Sequence, residues 1–204
     1  ELSNQINAVI IATPTTSHYS MAKFFLQQKK HVFIEKPITS TIHEAKELTL
    51  LANKFGLIGQ VGHVERFNSA FSNVKNILNP MFIEAHRLSH YPERGTDVSV
   101  VLDLMIHDID IIQTLVKSPI KSLDAQGAPV LSPSVDIANA RMTFENGCIA
   151  NVTASRVSFK TERKTRIFQK NSYISIDYHN KKFAVFSKGD GEMFPGIPEI
   201  SRHE

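Results

Sequence analysis

The sequence predicts an α/β chain in two parts: a parallel sheet with its covering helices, then an α+β domain with an open, mostly antiparallel sheet. Three observations predict it. Up to residue 62, short strands that are apolar throughout alternate with helical stretches, the pattern of a parallel sheet covered on both faces. Beyond residue 63 a helical region gives way to a run of short strands with hairpin turns, the pattern of an antiparallel sheet. The 204 residues, 42% hydrophobic and 21% charged, suffice for a sizeable core in one large domain or one and a half small ones. The domains are placed at 1–62 and 63–204.

In the first part, residues 7–12 (Asn-Ala-Val-Ile-Ile-Ala) form an unbroken apolar strand closed by Thr13-Pro14. Residues 17–29 read as a helix that Ser17 can cap, with Met21, Phe24, Phe25 and Leu26 on its inner face. Residues 31–34 are the second strand, and they end abruptly in Glu35-Lys36-Pro37. Thr41 and Glu44 make a capping box. The helix they open runs to Lys54, and Gly56 stops it. Residues 57–61 are the third strand.

In the second part, residues 68–78 read as helical, 81–91 alternate like a half-exposed strand, and 98–116 form one long helix. Short strands follow at 139–144, 148–155, 165–170, 172–177 and 183–186, with a hairpin turn at Glu145-Asn146-Gly147. Residues 189–204 hold glycine, proline and charge and read as loop.

The charge balance excludes some functions. There are 23 basic and 20 acidic residues, a net charge of +3, and a scattered excess of this size does not point to nucleic acid. The exception is Lys160, Arg163, Lys164 and Arg166, read either as a solvated strand face or as a patch for an anionic substrate. No apolar run reaches the roughly 20 residues that cross a bilayer, and no signal peptide is visible, so no membrane partner is expected. The single cysteine, Cys148, excludes an intrachain disulfide and suits a reducing, cytoplasmic setting. Its strand context predicts a buried, inert thiol.

Four clusters can carry chemistry. Thr13-Pro14 with His18 places a helix N-terminus at the carboxyl edge of a parallel sheet, which suits a phosphate or ribose; the alternative is plain strand-to-helix punctuation. Lys36, at the end of a buried strand, can hold positive charge beside a developing alkoxide, with Glu35 orienting it, or can simply snorkel to the sheet edge. Asp103 and His107 are four apart on an apolar helix and so share a face. An imidazole held there by an acid is a good general base for a hydroxyl; acids complementing the helix dipole are the alternative. No metal is expected, because Asp108 and Asp110 lie off the Asp103/His107 face. Finally, Gly62-His63-Val64-Glu65-Arg66-Phe67-Asn68 forms a polar cluster at the domain boundary, where clefts form. Arg66 can clamp a carboxylate or phosphate or serve in a structural acid pair.

In this order, Ala12-Thr13-Pro14 with His18, Glu35-Lys36-Pro37, Gly62-His63, and Asp103 followed by His107 resemble the Gfo/Idh/MocA family, the glucose-fructose oxidoreductase and inositol dehydrogenase group. The resemblance covers nearly the whole chain. It implies the C-terminal half of a Rossmann-type sheet that binds NAD or NADP, and a second domain for substrate binding and subunit contact. It implies catalytic roles for Lys36, Asp103 and His107, cofactor contacts from Thr13, Pro14, His18, Glu35 and Lys36, and substrate contacts from Arg66 and Asn68. The implied partners are a sugar, cyclitol or nucleotide-sugar substrate and further copies of the chain, as a homodimer or homotetramer through the C-terminal sheet. Residues 62–71 look most like the UDP-N-acetylglucosamine 3-dehydrogenase-like branch, although Ser69 stands where that branch commonly has proline.

The glycines depart from the family pattern. None of the nine forms the Gly-x-Gly-x-x-Gly turn that holds a dinucleotide pyrophosphate. A fragment of a longer polypeptide, with the pyrophosphate turn before residue 1, is the expectation. The competing reading is a non-catalytic relative that binds a ligand or a subunit.

Overall fold

The computed structural model describes residues 5–91, 98–194 and 197–203. These form two compact units, Glu1–His63 and Val64–Glu204.

The first unit is a three-stranded parallel sheet in the order β1 (Ala8–Ile11), β2 (His31–Glu35), β3 (Gly59–Gly62). Helix α1 (Thr15–Gln27) joins the first pair and α2 (Ile42–Phe55) the second. Their apolar stripes bury Ala22, Leu26, Leu48 and Ala52 against Ile11, Val32 and Ile34. The capping box at α2 is complete: Glu44 N donates to Thr41 Oγ1 at 3.3 Å, and Thr41 N donates to Glu44 Oε2 at 3.1 Å. Gly56 ends α2 with φ at 63°, in the left-handed region that lacks a Cβ penalty only for glycine.

Two expectations for this unit change. The helices cover one face of the sheet, and Ile10 on the other face is 75% exposed, so the apolar strands are not covered on both sides here. In α1, Phe24 is exposed and the buried residues are His18, Ala22 and Leu26. The helix begins two residues earlier than read, at Thr15, and Met21 and Phe25 pack partly buried against the core.

The second unit packs helices on one face of an eight-stranded sheet. After a short 3₁₀ turn (Val64–Phe67) comes α3 (Ser69–Val74), then β4 (Phe82–Leu88). The helix read at 98–116 is a π turn (Val101–Met105) followed by α4 (Ile106–Val116). The remaining strands are β5 (Ile120–Ala128), β6 (Ile137–Phe144), β7 (Ile149–Ser155), β8 (Glu162–Gln169), β9 (Ser172–Asp177), β10 (Lys182–Phe194) and β11 (Ile197–His203). The sheet order is β11-β10-β9-β8-β4-β7-β6-β5, antiparallel except for the parallel β4–β7 pair. Alternation along β4, β6 and β7 buries Ile83, Ala85, Ala140, Met142, Ala150 and Val152. Phe71 and Val74 of α3 and Ile111, Ile112 and Val116 of α4 complete the core.

The hairpin turn forms as read, with Gly147 at φ 86° and Phe144 N donating to the Cys148 carbonyl at 2.9 Å. Cys148 is buried. Two segments differ from the sequence reading. β5, an edge strand in which every residue is exposed, is absent from the sequence reading. The described residues of the tail read as loop form the β10–β11 ribbon, in which Gly189 and Gly191 lie against Glu199 of the facing strand.

On its other face the sheet carries a row of rings. Phe82, Phe168, Tyr173 and Phe186 stand opposite one another across β4, β8, β9 and β10. Their centroids are spaced 5.1–6.1 Å apart, and Arg202 lies over the Phe186 ring.

Candidate active site

In the first unit, β1 and β2 are parallel and in register, with Ile11 opposite Ile34. Thr13-Pro14 and Glu35-Lys36-Pro37 therefore emerge at the same carboxyl edge, where open α/β sheets hold their ligands. Thr13 and Pro14 are exposed, and Lys36 is half-buried ahead of a cis Lys36–Pro37 peptide. α1 starts at this edge with Pro14 as N-cap and no side chain capping it, which leaves first-turn amides for a ligand. Ser17, expected as a cap, instead turns its hydroxyl to Pro14 O at 2.8 Å and Thr13 Oγ1 at 2.7 Å.

Glu35 lies against Gly62 of β3. A Cβ there would sit 3.0–3.1 Å from the Glu35 carboxylate, so the glycine makes room for the acid. His18, expected along the cofactor, lies behind the turns instead. It is 1% exposed, and its two ring nitrogens meet backbone carbonyls, Nδ1 at 2.9 Å from Pro37 O and Nε2 at 2.8 Å from Thr13 O.

A hydroxyl, uncapped amides, a half-buried ammonium and a carboxylate in its glycine cradle fit the nicotinamide-ribose end of a dinucleotide. They do not supply a pyrophosphate cradle, for which the chain has no glycine turn.

In the second unit, Asp103 lies in the π turn and His107 in the first turn of α4, both half-buried. The shared-face reading assumed a regular α-helix. The wider π turn sets the mutual orientation of the pair instead, and such turns are frequent at functional sites.

The two residues read as substrate ligands are engaged elsewhere. Arg66 forks onto Asp110, Nε to Oδ2 at 2.7 Å and Nη2 to Oδ1 at 2.5 Å. Asn68 caps α3 through Ala70 N and donates to the Tyr178 carbonyl, both at 3.1 Å. These contacts fasten residues 65–68 to the fold, the structural alternative for Arg66. Among the described residues, no group of His, Cys, Asp and Glu is arranged to hold a metal.

Two buried ion pairs went unread in the sequence. Arg87 of β4 donates to both oxygens of Asp108, at 2.8 and 3.1 Å, and to Glu65 at 3.1 Å. Burial opposes the Arg87 charge, but Asp108 and Glu65 outweigh it and hold the guanidinium firmly ionised. Asp108 is the residue after His107, so this pair anchors the turn of α4 that carries the imidazole.

The second pair is Asp136–Arg156, both 0% exposed. Asp136 Oδ2 accepts three successive backbone N–H bonds from Val130, Leu131 and Ser132 at 2.7–2.8 Å. Arg156 reaches Asp136 at 2.8 Å, the hydroxyls of Ser132 and Ser134, and the Val98 carbonyl at 2.8 Å. This knot grips the chain just before the π turn. The basic run on β8 is the solvated alternative: Arg163 and Arg166 are exposed, and Lys160, Lys164 and Arg166 face Glu162, Asp177 and Glu84.

The chain belongs to the Gfo/Idh/MocA family. Residues 1–63 match the model of the oxidoreductase family with an NAD-binding Rossmann fold, and residues 56–174 match the GFO/IDH/MocA C-terminal domain. The chain is similar to the UDP-N-acetylglucosamine 3-dehydrogenase of Acidithiobacillus ferrooxidans, 35% identical over 96% of this chain and 63% of that protein. A solved structure of that enzyme superposes with a TM-score of 0.89 at 34% identity, over 99% of this chain and 65% of the other. The scyllo-inositol 2-dehydrogenase (NAD(+)) of Bacillus subtilis is 26% identical over 96% of this chain and 62% of its own length. The chain thus spans less than two thirds of the relatives it matches.

Proposed function

We propose that the polypeptide is an NAD(P)-dependent dehydrogenase acting on a hydroxyl or keto carbon of a sugar, cyclitol or nucleotide sugar. Lys36 carries this reading, as an ammonium at the carboxyl edge of a parallel sheet in a chain that aligns almost end to end with a UDP-sugar dehydrogenase. On this reading residues 1–62 are the cofactor-binding part and 63–204 the substrate and subunit-contact part. The nicotinamide, NAD or NADP, supplies a hydride acceptor or donor when bound. Thr13, Pro14 and Glu35 line it, and Lys36 lies near its ring.

His107 takes the proton of the substrate hydroxyl, Asp103 orients His107 or binds a neighbouring hydroxyl, and Lys36 stabilises the negative charge that develops on the oxygen. Arg66 and Asn68 help shape the substrate side by fixing residues 65–68 to the fold. The row of rings on the outer sheet face supports self-association as a dimer or tetramer through that face. The alignment with a UDP-N-acetylglucosamine 3-dehydrogenase favours a nucleotide sugar as substrate. Among the described residues, no helix is long and apolar enough to cross a membrane.

The test uses the complete polypeptide with a panel of sugars, cyclitols and nucleotide sugars, read by nicotinamide absorbance. One or more substrates should turn over, and Lys36→Ala and His107→Ala should each lower kcat by about 10²-fold or more. Near-wild-type turnover in both variants would overturn the assignment.

A further inference from the structure

Among the described residues, His18 is the one strongly buried histidine of the first unit, and the proposed chemistry gives it no contact with cofactor or substrate. Its position nonetheless connects the two turns that matter most. It lies in the first turns of α1, shortly after Thr13-Pro14, and reaches across to the carbonyl of Pro37, the residue after Lys36. Carbonyl oxygens only accept. A neutral imidazole donates from one nitrogen and so serves one of the two carbonyls, while a ring with both nitrogens protonated serves both. The bond that reaches the turn after β2 is the one Nδ1 donates to the Pro37 carbonyl at 2.9 Å.

On its other flank Lys36 is bounded by Glu35, which is paired with Gly62 in the ladder and packed against it. With Pro37 buried, the backbone on both sides of Lys36 is tied down.

We infer that His18 is a positioning residue for Lys36: its imidazole straps the Pro37 carbonyl to the first turn of α1 and fixes the backbone that presents the ammonium. The inference rests on the proposed role of Lys36. A misplacement of about 1 Å at a reacting group can cost up to roughly 10²-fold in rate. The strap therefore has a kinetic consequence without touching any ligand.

The two nitrogens allow a test that a generic packing role would not satisfy. An asparagine amide nitrogen overlays the position of Nδ1 and keeps the Pro37 bond, whereas a glutamine amide nitrogen overlays Nε2 and keeps only the Thr13 bond. In the complete polypeptide, His18→Asn should retain most of the wild-type kcat, while His18→Gln and His18→Leu should each lose about tenfold or more, with the cofactor KM changed less than kcat. Amide hydrogen exchange of residues 36–40 should quicken in the Gln and Leu variants and stay slow in the Asn variant; this readout needs no turnover. Adding His18→Leu to Lys36→Ala should cost little further kcat, because the two act through one group.

Equal behaviour of the Asn and Gln variants, unchanged exchange in His18→Gln, or losses that multiply in the double variant would each overturn the strap. If His18→Leu does not fold, the Asn–Gln comparison carries the test alone. Full activity of Lys36→Ala would instead strike the proposed function, while exchange at 36–40 would still report whether the strap exists.

Discussion

Asp136 shows how much a single carboxylate can organise. Burial opposes its ionisation. Hydrogen bonds from the Ser132 hydroxyl, from the Val130 and Ser132 amides and from Arg156 more than offset this and hold the carboxyl well below the ordinary carboxylate range. The folded value lies below the unfolded one, so the stabilisation is fully present above the ordinary value of about 4. It is lost as pH falls below that toward the folded value. Thermal melts should therefore show the second unit losing stability progressively below about pH 4. Asp136→Asn should melt lower than wild type at neutral pH, since it leaves Arg156 buried without its counter-charge, and its melting temperature should depend less on pH in the acid range. An Asn variant with the wild-type acid slope would count against this role.

The missed charges at this scale were legible after all. Ile83, Ala85 and Arg87 share one parity in β4, and Ala150, Val152, Ala154 and Arg156 share one in and just beyond β7. An arginine on the inward parity of an alternating strand needs a buried partner. Asp108 falls three residues after buried Met105 and three before buried Ile111 on the inward stripe of α4. The pairs are written in which side of each strand or helix the charge occupies, not in the polarity of the strand as a whole.

Elements were readable in proportion to how local their cause is. The α2 capping box and its Gly56 stop are each written in a few neighbouring residues, and both form. Thr41→Ala removes an N-cap acceptor and should destabilise the first unit by about 1 kcal/mol in a denaturant titration. Thr41→Val, which keeps the bulk and loses the oxygen, should behave like Thr41→Ala, and Thr41→Ser should stay near wild type. The long helix was read as uniform, because no local signal in Val101-Leu102-Asp103-Leu104-Met105 announces the π turn. β5 and β11 escaped for a different reason. Their pairing is decided by the strand alongside: β5 alternates only over residues 123–127, with small residues on most of its apolar side, and β11 has no apolar run.

For the whole molecule, the division into a parallel and a mostly antiparallel part was plain in the change of hydrophobic period, and the order of motifs along the chain pointed to the family. The proposed self-association face is a feature that only three-dimensional register exposes. Phe82, Phe168, Tyr173 and Phe186 are scattered in sequence and meet only when four strands align. Phe168, 38% exposed near the middle of that row, should be the most sensitive position. Size-exclusion chromatography with light scattering should give a multiple of the protomer mass for the complete polypeptide and a smaller species for Phe168→Lys. An unchanged mass in the variant would remove this face from the interface.

The place of β4 in the sheet carries a consequence for how the molecule is made. It is the first strand of its sheet to leave the ribosome, yet it ends in the interior, flanked by β8 and β7, whose residues lie far downstream. β5, β6 and β7 can zip as one ladder of hairpins and β8 to β11 as another, each from neighbours in the chain. The early strand must wait for both ladders, and closing those long loops makes its docking the slow, topology-limited step. Until then its two unpaired edges are open to wrong partners, so β4 is where a nascent chain of this protein is most exposed to misassembly.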